Sequence, residues 1–197
     1  MKTKEIIKEK SRELFNEYGI KNITLREVAK ELEKSYGNVT YHFSTKEKLI
    51  NDLFEDMNKE LTELQTMYLP SKNLLEFFLL LPDYSFDITI KYLFFYKDYV
   101  EIKRTYPLFF KKVEIANSNR KSKWLLLLIE LQKQGFLSQT LIESDLEYIM
   151  ELSVGIRLFY FQEKEWNEFD KAFFREKVNR LLYPYLSTLG QGLYTAL

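Results

Sequence analysis

Residues 36–43 read YGNVTYHF and contain His42, the one histidine of a 197-residue chain that has no cysteine. An imidazole among two tyrosines and a phenylalanine has four uses: acid–base catalyst, metal ligand, packed core residue, or hydrogen-bonding contact to a partner. One histidine without cysteine builds neither a thiolate site nor a multi-histidine site, so no metal or other cofactor is expected. Catalysis needs a partner group, and no nucleophile or orienting acid stands at helical spacing beside His42; the chain is not read as an enzyme. Core and contact remain. Val39 and Phe43, four residues apart, define one inward helical face and leave Tyr36, Asn38, Thr40, Tyr41 and His42 outside it.

These residues need elements to hold them, and almost every segment reads as helix. Glycine and proline are few (6 and 4), apolar residues recur at three and four, and no run alternates as a strand would, which predicts an all-α protein. A first helix is expected from Lys4 to Tyr18, burying Ile7, Leu14, Phe15 and Tyr18, with Gly19 as its left-handed stop. Thr24 followed by Glu27 forms a capping box that opens a short helix at Leu25, with Val28, Ala29 and Leu32 facing its core. A very short helix covers Tyr36 to Phe43, because Ser44 with Glu47 reads as a second capping box. The fourth helix places Leu49, Ile50, Leu53, Phe54, Met57, Leu61, Leu64 and Tyr68 at helical spacing until Pro70-Ser71.

From Ser71 onward the chain is dense in leucine and aromatics. Pro82 and Pro107 punctuate it, and Gly135 closes the helix that contains Trp124. Ser144 with Glu147 predicts a helix over 145–163. A last helix is expected over 167–189, kinked or broken near Pro184.

Net charge is zero, but residues 1–48 carry +3 and the remainder −3, which marks the N-terminal quarter as the place for a polyanion. The N-terminal stretch has charges every few residues in place of the apolar core of a secretory signal. The longest apolar runs, such as LLLLIEL at 125–131, fall short of the roughly 18 residues a membrane span needs. A cytoplasmic protein with no membrane partner is expected.

Two short helices joined by a tight turn, between a capped first helix and a long fourth one, have the layout of a helix-turn-helix. Ala29 supplies the small packing position, Val39 and Phe43 the anchor, and the outward polar and aromatic side chains a face for the major groove. Gly37 removes a side chain where the backbone would approach DNA.

The stretch TLREVAKELEKSYGNVTYHFSTKEKLI resembles the DNA-binding signature of the tetracycline-repressor (TetR) family, and the match runs back through the first helix and Gly19. The features that carry it are Thr at the cap, the following Arg, Ala in mid-helix, S-x-G, and H-F-x-x-K-E-x-L, all in register. The resemblance implies a helix-turn-helix DNA-binding domain over 1–47 and a helical ligand-binding and dimerisation domain over 48–197. It implies that Thr24 and Arg26 meet the DNA backbone, that Ser35, Tyr36, Gly37 and Asn38 open the recognition helix, that Tyr41 and His42 meet phosphates, and that Lys46 pairs with a phosphate at the start of the fourth helix. Two positions depart from the family pattern. Glu33-Lys34 stand where many members carry Gly-Val, so the turn must form without glycine. Thr40 stands where tyrosine is usual, so either Thr40 makes a shorter contact or Tyr41 substitutes for it.

The 16 phenylalanines, 14 tyrosines and two tryptophans are first of all core and interface. The resemblance adds a small-molecule cavity, expected to be lined by Phe95, Tyr99, Phe110, Trp124, Leu128, Tyr148 and Leu152 and suited to a lipophilic or aromatic effector. Asp98 and Glu130 could face a cationic ligand or simply solvent. The resemblance also implies a homodimer through the last two helices, with Ser153 and Gly155 permitting close approach. The expected protein is a ligand-responsive regulator, a repressor bound to a palindromic double-stranded operator. The alternative is a helical small-molecule-binding or protein-interaction module without sequence-specific DNA binding, which salt-dependent duplex affinity would discriminate.

Overall fold

The computed structural model describes residues 3–66, 73–164 and 168–195. The chain is helical throughout these: α1 (Thr3–Tyr18), α2 (Leu25–Glu31), α3 (Tyr36–His42), α4 (Lys46–Thr66), α5 (Leu74–Lys91), α6 (Phe94–Lys97), α7 (Tyr99–Thr105), α8 (Pro107–Lys133), α9 (Glu143–Glu163), α10 (Lys171–Arg180) and α11 (Thr188–Tyr194), with a 3-10 turn at Tyr183–Tyr185. Extended pairing among the described residues is confined to an isolated bridge between Leu137 and Leu186. No helix among them is long and apolar enough to cross a membrane. The residues divide into two compact units, 1–62 with 88–114, and 63–87 with 115–197; α4, α5 and α8 contribute to both.

In the first unit α1 ends where Gly19 adopts φ +79° and its N–H closes onto the Phe15 carbonyl at 3.0 Å. Ile7, Phe15, Val28, Ala29, Val39, Phe43, Leu49 and Leu53 are all buried, which joins α1 to α4 in one core. Tyr18 is 51% exposed and lies off that stripe, contrary to expectation; on the last turn of α1 it projects past the end of the core. Phe54 continues the core edge-on against Phe95 and Phe109. Charged pairs run alongside: Lys8 meets Asp56 at 2.8 Å and Lys4 meets Asp52 at 2.6 Å.

The second unit buries Leu75, Leu79, Leu131, Leu137, Leu146 and Ile149 in one cluster and Phe86, Phe161 and Phe174 in an aromatic one. Pro82 lies inside α5, and near it the buried Asn179 amide donates to the Leu79 carbonyl at 2.7 Å.

Three boundaries differ from the expected ones. The first turn of α4 is capped by Thr45, whose hydroxyl accepts the Lys48 N–H at 3.2 Å, one residue later than a Ser44–Glu47 box. Helix α9 starts at Glu143, before Ser144, because the Asp145 carboxylate reaches back to the Ile142 N–H at 2.9 Å. The expected last helix is three pieces: Asp170 caps α10 through the Phe173 N–H at 2.9 Å, Pro184 sits in the 3-10 turn, and Ser187 caps α11 through the Gly190 N–H at 3.1 Å. The expected ends near Tyr68, Pro70-Ser71 and Asn167 lie outside the described residues.

Candidate nucleic-acid interface

Helix α2 is opened as the sequence predicts. Thr24 accepts the Glu27 N–H at 3.3 Å, and the Glu27 carboxylate accepts the Thr24 N–H at 2.5 Å. Hydrogen bonding of the carboxylate by the Thr24 side chain and backbone N–H holds the Glu27 carboxyl below the ordinary glutamate range. The helix closes in a Schellman turn: the Lys34 N–H reaches the Ala29 carbonyl at 2.9 Å and the Glu33 N–H reaches Lys30 at 3.0 Å. Glu33 takes φ +51°, so glutamate occupies the left-handed position that glycine usually fills, and the turn forms without it.

Ser35 caps α3 by accepting the Asn38 N–H at 3.1 Å; its own hydroxyl hydrogen is left to donate outward. Val39 is 0% exposed and Phe43 is buried, whereas Tyr41 is 84% exposed. The helix therefore has the inner face its spacing predicts. Tyr36, Gly37 and Asn38 are exposed with Tyr41, while Thr40 and His42 are half-buried on the flanks. The rings of Tyr41 and His42 meet edge-on with centroids 5.1 Å apart. The exposed Arg26 guanidinium lies 5.2 Å from the Tyr36 ring, joining the outer surfaces of α2 and α3. At Gly37 an added Cβ would meet only the Ser35 hydroxyl, at 3.9 Å, so packing within the chain does not demand glycine there.

Two expected contacts are otherwise engaged. The Thr40 hydroxyl donates to the Tyr36 and Gly37 carbonyls at 3.0 and 3.3 Å, which commits its one proton to its own helix. The Lys46 ammonium bonds the Ile20 carbonyl and lies 5.6 Å from the Phe15 ring centroid, so it points into the head. Asp98 serves the same turn, accepting the Ile20 N–H at 2.6 Å. Burial raises its carboxyl above the ordinary range, partly offset by that bond and by Lys46. Asn16 accepts the Phe94 N–H at 3.0 Å and donates to the Lys91 carbonyl at 3.0 Å. These ties of Asn16, Asp98 and Lys46 are what sequence reasoning missed; nothing at helical spacing marks them.

The residues expected to line a ligand cavity are divided between the units. Phe95, Tyr99 and Phe110 are in the first, where Tyr99 and Phe110 stack edge-on at 5.0 Å. Trp124, Leu128, Tyr148 and Leu152 are in the second. There Trp124 packs against Phe78 at 5.5 Å, Leu128 belongs to the leucine core, and Tyr148 is exposed. Glu130 is exposed and accepts from Gln134.

A capped α2, a Schellman turn and a short α3 with one anchored and one exposed face make a helix-turn-helix reading head, carried on a chain with a second helical unit. Residues 7–53 match the family model of bacterial regulatory proteins, tetR family. The match is to that N-terminal segment, which is thus similar to the DNA-binding domain of tetR-family regulators. The chain's fold is shared with a TetR-family transcriptional regulator from Marinobacter aquaeolei (TM-score 0.84, 23% identity, covering 95% of this chain and 93% of that one). It is shared also with the ketosteroid transcriptional regulator KstR2 of Mycobacterium tuberculosis (TM-score 0.76, 14% identity, covering 94% and 96%). A third similar structure is the fatty acid degradation regulator FadR from Bacillus halodurans (TM-score 0.74, 17% identity, covering 92% and 95%). No curated protein matches the sequence at a significant level.

Proposed function

We propose that this chain is a homodimeric repressor that binds a palindromic DNA operator and is released from it by a lipophilic or aromatic small molecule. The observation that carries this reading is the two-faced α3, with Val39 and Phe43 buried and Tyr36, Gly37, Asn38 and Tyr41 exposed. In the proposed complex Tyr36 and Asn38 read base edges, with Gly37 allowing close approach. Ser35, Thr24 and Arg26 hold the sugar-phosphate backbone, and Tyr41 with His42 grips phosphates at the end of the helix. Tyr41 replaces the contact that Thr40, with its hydroxyl turned to its own backbone, does not make. Residues 1–47 are the reading domain in this proposal and 48–197 sense the effector and dimerise.

Dimerisation is supported by the outer face of α9, where Tyr148, Val154 and Phe159 are exposed together with Gly155. A second copy placing the same face against it would bury these side chains in an isologous contact. A lipophilic effector is supported by the aromatic wealth of the chain and by the ketosteroid and fatty acid degradation regulators among its structural neighbours. Release requires the effector to bind the state that does not fit the operator more tightly than the state that does, since equal affinity shifts nothing.

Titration of the duplex upstream of the reading frame tests the placement of the reading head. Changing Tyr41→Ala and His42→Ala together is expected to weaken binding by about 10-fold or more, with little change in thermal unfolding because Tyr41 is exposed. A double variant that binds as tightly as the parent would show that the reading head is elsewhere.

A further inference from the structure

Arg12, Phe15 and Asn16 stand three and four residues apart on α1 and share one face of it. All three meet the break between α5 and α6. An unbroken helix would carry the Phe94 N–H to the Ile90 carbonyl and the Phe95 N–H to the Lys91 carbonyl; here the Phe95 N–H turns to the Tyr92 carbonyl at 3.1 Å. The Asn16 side-chain amide takes up what is left open, accepting the Phe94 N–H at 3.0 Å and donating to the Lys91 carbonyl at 3.0 Å. It fills the place of a peptide group that the break removes. Beside it the buried Phe15 and Phe94 rings meet with centroids 5.3 Å apart, and the Arg12 guanidinium lies 5.5 Å from the centroid of the buried Tyr92 ring. From α4, Glu60 Oε1 accepts the Tyr92 hydroxyl at 2.8 Å and the Lys91 ammonium at 2.6 Å. Burial, and then that carboxylate, raise the Tyr92 hydroxyl above the ordinary tyrosine range, which keeps its proton in place. Side chains of α1 and α4 thus converge, within the first unit, on the end of α5, a single helix that begins at Leu74 in the second unit.

We infer that Asn16 and Tyr92 are positioning residues, the pins of a joint that fixes the reading head to the end of α5 and so holds the two heads of a dimer at one spacing. The inference rests on the dimeric DNA-binding reading above. A head that swings about this joint still fits a half-site, but the pair no longer insists on one separation. A general loss of folding behaves differently, because it lowers the active fraction and leaves the spacing preference of the remaining molecules unchanged.

The test is affinity for the upstream palindrome, for the same palindrome with one base pair inserted at its centre, and for a duplex carrying one half-site. It is measured for the parent, Asn16→Ala and Tyr92→Phe, with the active fraction of each taken from stoichiometric titration. One inserted pair moves a half-site by about 3.4 Å and turns it by about 35°. The parent is expected to lose on the order of 30-fold on that duplex, because its two heads no longer bind together without strain. For Asn16→Ala the penalty is expected to fall to roughly 5-fold or less, with half-site affinity within about 2-fold of the parent and faster exchange of the Phe94 amide. Tyr92→Phe leaves Lys91 on the Glu60 carboxylate and is expected to fall between the two. An Asn16→Ala protein that keeps the parent's penalty, or that weakens on the single half-site as much as on the palindrome, overturns the assignment while leaving DNA binding intact. A parent that ignores the inserted pair overturns the dimeric reading, and a parent with no salt-dependent affinity for any duplex overturns the DNA-binding one; this inference falls with either.

Discussion

Replacing Glu33 by glycine should stabilise the reading head, and the size of the gain follows from the turn itself. Glu33 holds φ +51° at the end of α2, inside paired hydrogen bonds to Ala29 and Lys30. The same closure recurs after α8, where Gly135 holds φ +82° and the Phe136 and Gly135 N–H groups reach Leu131 and Gln132 at 3.0 and 2.9 Å. One motif thus appears twice, once with the residue it favours and once without. A left-handed residue bearing a Cβ costs about 1–2 kcal/mol, and the greater freedom of glycine in the unfolded chain takes back about 0.4–1 kcal/mol. The net expectation is a gain of about 0.5–1 kcal/mol. Glu33 is exposed, so no burial is lost. Its charge at a helix C-terminus is itself unfavourable by a few tenths of a kcal/mol, and for that reason Glu33→Ala is the reference. Both variants remove the charge, and only glycine relieves the backbone. With two compact units, unfolding need not be a single transition, so hydrogen exchange of the α2 and α3 amides is a better assay than a global midpoint. Glycine and alanine variants with equal protection would refute the reasoning.

Three further outcomes are expected. Asn179→Ala removes the buried amide that bonds the Leu79 carbonyl and should destabilise the second unit by about 1–3 kcal/mol, read by denaturant titration. A Cβ at Gly190 would stand 2.3 Å from the Phe136 carbonyl oxygen, which is backbone and cannot swing aside. Gly190→Ala should therefore cost on the order of 1–3 kcal/mol and expose the α11 amides to exchange. Val154→Glu combined with Phe159→Glu places charge on the exposed face of α9 and should convert the proposed dimer to monomer, seen by light scattering, with folding retained because both positions are exposed.

The reading head was largely legible in the sequence because its signals are local. The Thr24–Glu27 box, the Gly19 stop and the Val39–Phe43 pair each lie within four residues, where helical geometry decides the outcome. Local signals also mislead when they are degenerate. Ser44 and Thr45 both precede a helix start, and Thr45 takes the cap by accepting the Lys48 N–H, while in α9 Asp145 does the capping with its own carboxylate and Ser144 is left inside the helix. The tie of Asp98 to Ile20 was illegible because Asp98 is 78 residues away, and no spacing rule reports a contact that only tertiary packing creates. The same limit explains the expected ligand residues. Aromatic type alone does not separate Phe110, which stacks on Tyr99, from Tyr148, which is exposed.

Footprinting of the DNA immediately upstream of the reading frame, repeated across a salt series and with lipophilic candidate compounds, tests the central claim most directly. Protection of a palindrome whose half-sites lie in successive major grooves is expected, weakening steeply with salt and fading with one compound. Absence of protection at every salt concentration would contradict it.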